Sequence, residues 1–543
     1  MSAVEQGREH QGDREVEYDA DVVVVGSGAG GAVVACELAE AGQSVLVLDE
    51  GPYVPASSYG KMRPTESMRH LWRDGGFTVA IGLGDTPVIN VHMGSAIGGS
   101  SLLTGGVCFR TPDSVLDEWS NVLGLHELAP ERMDAAFRSA ERAVHVEEVP
   151  VAMRSRSTTL FGEGLRRAYG VELKSLRRNT KGCNGCGRCN FGCPHGAKMS
   201  VDITYLARAL AAGARIVSDA CVERVVVKGD RAIGVSGRLK NGRHGKPKTP
   251  FVVRARRVVV AAGAYSSPLL LKRSGVGGLS GQVGKNLTLH PGFRFMARFD
   301  ELVQGWKGAL QSAYTDMFEH EGINNIGLFI PPGALAGTMP GIGPAHVERA
   351  KGIPHLAIFG GMIHDDAGGR VYDVFGRPFM TYRMSAKNRA VIPGLFRRMA
   401  KIYFAAGARE VILPVLGLPA VTPDTIDTID LEHVPGNMLE CASQHPLGTC
   451  RMGTSPHHSV VDPNGQTHEV KDLYVADGSI LPTSLGVNPQ LSIMAMATRI
   501  AWKLRERTSQ HTSTQSRRVD AAFPEARPVE VRPPRPAAFR GSE

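Results

Sequence analysis

No stretch of the sequence approaches the ~18 uninterrupted apolar residues that a membrane-spanning helix needs, so no transmembrane segment is expected. The N-terminus, MSAVEQGREHQGDREVEYDA, lacks both an apolar core segment and a twin-arginine pair. No secretion signal is therefore expected, and a cytoplasmic chain is. Internal repeats and long linkers are missing too. The formal net charge is +9, yet the body of the chain has no basic stripe with interleaved aromatics. Part of the charge sits near the end, where Arg517, Arg518, Arg527, Arg532, Arg535 and Arg540 are interspersed with prolines. This distribution argues against nucleic acid as a partner. Nine cysteines in a chain without an export signal argue against a disulfide framework. Four of them are clustered, which points to metal or structural thiol chemistry instead.

What is present is the composition of a globular protein, 42% hydrophobic and 21% charged. At 543 residues the chain exceeds a single compact core, and two joined domains are expected. Its 64 glycines are about 12% of residues against a usual ~7%. Such a surplus supplies tight turns and close backbone approaches, as a protein built around a large cofactor requires.

The clearest motif lies near the start. Asp21 to Val25 is a buried-strand run, Gly26-Ser27-Gly28-Ala29-Gly30-Gly31 follows at once, Ala32 to Ala41 reads as a helix, and Ser44 to Leu48 as a second strand. In such a unit Gly26 makes the tight turn, Gly28 lets a pyrophosphate approach the backbone, and Gly31 lets helix and strand pack closely. The helix N-terminus offers free N–H groups to the phosphates. Asp49, beside Glu50 at the end of the second strand, is the expected acid for ribose hydroxyls. Further core strands are read at 257–265 and 473–479, so the cofactor domain is expected to be discontinuous.

Beyond this unit the sequence resembles the glucose–methanol–choline (GMC) oxidoreductase family of FAD-dependent alcohol oxidases and dehydrogenases, from about residue 19 to 505. Gly94-Ser-Ala-Ile-Gly98-Gly99-Ser100-Ser101 is similar to the segment that lies along the flavin, Gly263-Ala-Tyr-Ser-Ser267-Pro268 to the second signature, and Val283-Gly284-Lys285-Asn286-Leu287 to a further landmark. Two departures stand out. Thr104 occupies the place of an asparagine, and Leu103 that of the histidine through which some members attach FAD. Non-covalent FAD is the expectation that follows. Gln444-His445-Pro446-Leu447-Gly448 resembles the catalytic histidine segment, and Asn488, in Gly486-Val487-Asn488-Pro489-Gln490, stands where the family has a second histidine or an asparagine. The resemblance implies a His/Asn type, as in sterol, choline and long-chain alcohol oxidases. His445 would take the hydroxyl proton, Asn488 would stabilise the alkoxide, and hydride would pass to flavin N5. Asp477 and Gly478 would contact the ribityl–phosphate region, with Pro489 also at the cofactor. His290 and His355, each next to a proline or in a turn, read as satisfied turn residues.

Cys183-x2-Cys186-x2-Cys189-x3-Cys193-Pro194 has the spacing of a bacterial ferredoxin run. Three readings stay open for it: an iron–sulfur cluster, a zinc ion held by four thiolates, or structural thiols. Long-chain alcohol oxidases of the family have a similar cysteine- and glycine-rich segment before a G-x-K, here Gly196-Ala197-Lys198.

The resulting expectation is an α/β protein: a doubly wound, Rossmann-like FAD domain with an inserted α+β substrate domain. The FAD domain would comprise residues 19–115, 199–295 and 439–507, the last with the catalytic pair. A cap or linker region with the cysteine loop would span 116–198, and the substrate domain 296–438. Residues 1–18 and 508–543 are expected to lack regular structure. In the substrate domain, Ile326 to Ile330 and Val411 to Leu413 would line a pocket or pack a core. The absence of an acidic cluster argues against a choline-like cation and for an apolar alcohol, long-chain or sterol-like. O2, or a quinone or protein, would accept the electrons. Two rival functions are an acceptor-linked dehydrogenase wired through the cysteine loop and a redox-sensing flavin- or metal-binding protein.

Overall fold

The computed structural model describes residues 4–10, 12–240, 247–339 and 342–511. Val22 to Val25 form a β-branched run buried on both faces, the signature of a central parallel strand. The strand Val16–Val25 pairs in parallel with Val45–Leu48 on one side and with Pro247–Val260 on the other. Leu473–Val475 then pairs in parallel with Val258 to Val260. The four strand segments read from three distant parts of the sequence thus share one eight-stranded sheet. The outer strands Arg231–Lys240 and Ala220–Lys228 add to it antiparallel. The helix Gly31–Glu40 packs on this sheet with the helices Tyr205–Ala211 and Gln490–His511, burying a small-residue face of alanines and valines.

A second sheet of eleven strands stands beside the first. At its heart Gly292–Arg298 pairs antiparallel with Leu356–Ile363, every residue of which is buried. The helices Arg156–Tyr169 and Ala386–Ala405 cover one face, where Phe161 stacks on Phe359 at 3.8 Å between ring centroids and Phe396 packs edge-on to Phe293 and Phe295.

The architecture differs from expectation in four places. The first residues are not structureless: Glu5–Gln6 extends the first sheet in parallel with Val217 and Ser218, Tyr18 Oη donates to Glu5 Oε1 at 2.6 Å, and Val4 is buried. At the other end the helix Gln490–His511 runs past residue 508, and 512–543 lie outside the described residues. The strand expected over 257–265 ends at Val260, and Gly263, at φ +82°, opens the helix Gly263–Arg273. Finally, the second sheet is not built from 296–438 alone. It takes Val79–Gly82, Ile89–Val91, Lys174–Ser175, Gly292–Arg298 and Cys441–Ser443 from the flanking segments. Ile326, Val411 and Leu413 are core residues.

Candidate active site

Between the two sheets runs a cavity of about 360 Å³. Its wall includes Glu50, Cys221 and Arg273 together with Gln444, His445 and Asn488. Three glycine-rich turns form its floor. Gly26, at φ +101°, passes so close to the next strand that a Cβ there would sit 2.3 Å from the Ala261 carbonyl oxygen. A Cβ on Gly31 would meet the Gly26 carbonyl oxygen at 1.9 Å. Gly28 differs from both: a Cβ there would meet no atom within 4 Å and would project into open space. Two of these glycines are therefore forced by protein packing, while Gly28 leaves room beside the helix N-terminus.

The segment Gly98 to Ser101 lies directly on this turn, with Gly99 against Gly28. Gly98 N–H donates to Ser27 Oγ at 2.9 Å, and Ser101 Oγ donates to the Gly98 carbonyl at 2.7 Å. Gly99, Ser100 and Ser101 line the cavity, as does Thr104, whose hydroxyl donates to Gln490 Oε1 at 3.1 Å. Leu103 points into an apolar cluster with Tyr59, Leu71 and Phe191.

Asp49 and Asp477 act as clamps at the strand ends. Asp49 accepts from Ser27 N–H, Ser27 Oγ and Gly51 N–H at 2.6–2.8 Å. Asp477 accepts from Gly263 N–H, Ser267 Oγ and Ser479 N–H at 2.5–2.8 Å. Burial pushes both carboxyls up, and these hydrogen bonds pull them back. Glu50, next to Asp49, is held near 2 by the Arg73 guanidinium and Lys240 against its own burial. Gly478 and Pro489 complete the wall.

His445 and Asn488, 43 residues apart, meet at the cavity wall: Asn488 Nδ2 is 3.2 Å from His445 Nε2. His445 follows the strand Cys441–Ser443, its N–H donating to Ser443 Oγ at 3.0 Å, and Asn488 stands in the turn before the helix Gln490–His511. Burial lowers His445 to about 4, so the ring is neutral at pH 7. Asn488 Oδ1 is buried and has no hydrogen-bond partner among the described residues, and Asn488 lines the cavity.

A third residue, misread from the sequence, joins this pair. His290 is fully buried, at φ +50°, with its Nδ1 3.3 Å from His445 Nδ1. Its Nε2 accepts from Leu485 N–H at 3.0 Å and Gly486 N–H at 3.2 Å. Beneath it Asp365 accepts four hydrogen bonds, from Leu289 N–H, His290 N–H, Tyr382 Oη and Ser484 Oγ, at 2.7–3.0 Å. One carboxylate thus ties together three segments that carry the site. No local signal reveals this, because all the contact partners but Tyr382 and Asp365 are 75 to 196 residues apart.

The cysteine loop does not form the ligand set its spacing suggests. All four thiols are free. Among the described residues no three His, Cys, Asp or Glu side chains are grouped so as to hold a metal ion. Cys189 Sγ instead accepts from Arg178 Nη2 at 2.9 Å. Lys198 Nζ donates to the carbonyls of Leu102, Thr104 and Cys189 at 2.5–2.9 Å, and burial lowers it to about 8. Arg178 Nε also donates to the Gly105 carbonyl at 2.8 Å. Two buried cations thereby brace the loop against the segment 102–105 that borders the cavity. The residues fit structural thiols.

A doubly wound sheet with this crevice is the architecture of a dinucleotide-binding oxidoreductase. Comparison narrows it. The GMC oxidoreductase family pattern matches residues 20–292 with its N-terminal part and 370–497 with its C-terminal part. An uncharacterised GMC-type oxidoreductase of Mycobacterium tuberculosis is 38% identical over 89% of this chain and 75% of its own length. The long-chain-alcohol oxidase FAO4B of Arabidopsis thaliana is 30% identical over 91% and 68%. The structure of a formate oxidase variant from Aspergillus oryzae matches with a TM-score of 0.70 at 16% identity, over 92% of this chain and all of that one. The chain belongs to the GMC oxidoreductase family. It is an FAD-dependent oxidoreductase acting on CH–OH groups. Among the described residues no helix is long and apolar enough to cross a membrane.

Proposed function

We propose that the protein oxidises an apolar alcohol, long-chain or sterol-like, with non-covalently bound FAD and O2 as the final electron acceptor. The residues present suit such a cofactor. Gly28 leaves open space at a helix N-terminus, two further glycine turns approach the same cavity, and the cavity lies within the ~300–1,000 Å³ typical of ligand sites. Gly26, Gly28, Gly31, Gly98, Gly99, Ser100 and Ser101 would hold it, with Asp49, Glu50, Asp477, Gly478 and Pro489 around it. Leu103 offers no atom for covalent attachment. When bound, FAD supplies the hydride acceptor.

The chain's own residues handle the oxygen and its proton. His445 takes the hydroxyl proton at Nε2, the nitrogen beside Asn488. The Asn488 amide donates to the oxygen as it becomes alkoxide-like, and a dry, buried setting strengthens that bond. The observation that carries this reading is the 3.2 Å approach of these two side chains at the wall of one cavity. An apolar substrate is supported by the fate of the acids in the lining. Asp49 and Asp477 are satisfied by N–H and O–H donors and Glu50 by Arg73, so none of them is left to bind a cation. It is supported also by the similarity to a long-chain-alcohol oxidase. The domain reading that accompanies it assigns the first sheet to the cofactor and the second to the substrate.

The test is oxygen consumption by the purified protein with alcohols of increasing chain length. Turnover rising with chain length and absent with choline supports the proposal; turnover with choline alone overturns it.

A further inference from the structure

The hairpin of strands Gly369–Val374 and Arg377–Tyr382 presents an apolar face to solvent. Its register sets Tyr372 opposite Phe379 and Val374 opposite Arg377. The neighbouring strand Val79–Gly82 runs parallel, with Ala80 opposite Met380, and Ile89 of the next strand stands opposite Ala80. Successive side chains point to opposite faces of a sheet. Val371, Met380, Ala80 and Ile89 are all buried, so Tyr372, Phe379, Val79 and Val88 share the other face, and they are 39–47% exposed. The apolar row therefore crosses three strands and reaches Val88, just ahead of the fourth. It is illegible in the sequence because its members come from two segments almost 300 residues apart.

The hairpin turn sharpens the point. Phe375 lies at φ +51° and Gly376 at φ +76°, both left-handed, as a two-residue turn of the type I′ class requires. Asparagine, aspartate or glycine relieves the first of these positions; phenylalanine does not. Phe375 is nevertheless there, and it is completely exposed. Phe77, just ahead of the adjoining strand, is 79% exposed. A strained backbone position and a solvated aromatic ring are two costs at one residue, and a contact outside the monomer explains both.

The charges say what that contact is. Arg370 and Arg377 flank the apolar row on the same face, since Arg370 pairs with Thr381 and Arg377 with Val374. Both are exposed, and among the described residues neither is paired with a carboxylate. Nearby acids are engaged elsewhere: Asp373 with Arg273 at 2.6 Å and Asp85 with Arg389 at 2.8 Å, while Asp74 lies in the field of Arg73. A second copy packed on this face would bring four guanidinium groups together without free carboxylates. An anionic, partly apolar surface is complementary.

We propose that this hairpin face docks on a bilayer containing anionic lipid. Phe375, Phe379 and Tyr372 enter the headgroup–acyl boundary, and Arg370 and Arg377 meet lipid phosphates. Gly376 and Pro378 of the same hairpin line the cavity of His445, so docking sets that cavity beside the lipid.

The test is co-sedimentation of the full-length FAD-loaded protein with phosphatidylcholine vesicles, with and without phosphatidylglycerol. Binding to the anionic vesicles is expected, weakening as salt is raised. R370E/R377E and F375S/F379S should each lower the partition coefficient about tenfold or more, with melting temperature and flavin content unchanged. Lack of binding to anionic vesicles at low salt, or binding that neither variant weakens, overturns the proposal. So does a dimer in sedimentation velocity that F375S/F379S converts to monomer, which would assign the face to a second copy. None of these readouts depends on the alcohol oxidised.

Discussion

His290 Nδ1 lies 3.3 Å from His445 Nδ1, and the proton between them belongs to His290. Two backbone N–H groups, of Leu485 and Gly486, point at His290 Nε2 and leave that nitrogen bare. The neutral ring therefore carries its proton on Nδ1. His445 accepts it, and in the resting protein keeps its own proton on Nε2, which the Asn488 amide meets with its otherwise unpartnered oxygen when its O and NH2 ends are exchanged. To receive a hydroxyl proton at Nε2, His445 must hold its other proton on Nδ1, facing the Nδ1–H of His290. His290 thus restrains the base, at about the cost of one lost hydrogen bond, ~1–3 kcal/mol.

In His290→Asn the amide can turn its oxygen toward His445 Nδ1–H and stabilise the base-ready and protonated forms. The native His445, held at about 4 by burial, is neutral above that pH, so kcat/KM should fall only as pH drops through about 4. His445 is the facing titratable group on one side of His290 and His364 on the other. In the variant the acidic limb should move upward by about one pH unit, which a pH profile of kcat/KM reads directly. An unmoved limb would mean that His290 does not set the His445 proton.

Gly28 and Gly31 separate ligand space from protein packing. Gly28→Val adds bulk where no protein atom lies within 4 Å, and Gly31→Ala adds it 1.9 Å from the Gly26 carbonyl oxygen. The first substitution should lose FAD while keeping the fold. The second should lower stability by about 1–3 kcal/mol. The ratio of flavin to protein absorbance, with circular-dichroism melting of both variants, checks the pair. Full FAD in Gly28→Val would remove this turn from the binding site.

Asp365 is a structural keystone under His290, the neighbour of His445. Asp365→Asn keeps the shape but turns an NH2 toward two donors, leaving buried groups unpaired at a cost of about 3 kcal/mol. Denaturant melts should show that loss. A variant as stable as the native protein would contradict the four-bond arrangement.

Acid should loosen the fold earlier than carboxylate titration alone requires. Burial holds His92 and His445 near 4, while an unfolded histidine titrates near ~6.5. Between these values the unfolded chain binds more protons than the native one. Stability is therefore full above ~6.5 and falls as pH drops toward 4, by up to about 1.4 kcal/mol per pH unit for each histidine. Asp49, Asp365 and Asp477, raised by burial, act in the opposite sense and reduce the slope. His92→Gln should flatten melting temperature against pH over this window; an unchanged slope would exclude His92 as a contributor.

The glycine turn was legible in the sequence because part of its constraint is local: Gly31 is crowded by Gly26 five residues back and Gly26 turns at φ +101°, although the strand end that crowds Gly26, at Ala261, is 235 residues away. The parallel core was legible for a similar reason, since Val22 to Val25 and Val258 to Val260 are β-branched runs of strand length. The second sheet was not, because its strands pair across hundreds of residues and mix short segments from every part of the chain. His290 was misread as a turn residue. It does have a turn's left-handed φ, but its role is created by His445, 155 positions away. The cysteine spacing left three readings open and could not choose among them. It matched a cluster-binding run, whereas Arg178 and Lys198, which decide what the loop does, lie outside that run.

The central claim, that His445 and Asn488 oxidise an alcohol on a flavin held in this cavity, is tested most directly by anaerobic stopped-flow reduction. The purified protein is mixed with a long-chain alcohol and the flavin band near ~450 nm is followed. The account predicts that the band bleaches in the native protein. It predicts that His445→Ala and Asn488→Ala keep the flavin but bleach about 10²–10⁴ times more slowly. Bleaching at the native rate in both variants would contradict it.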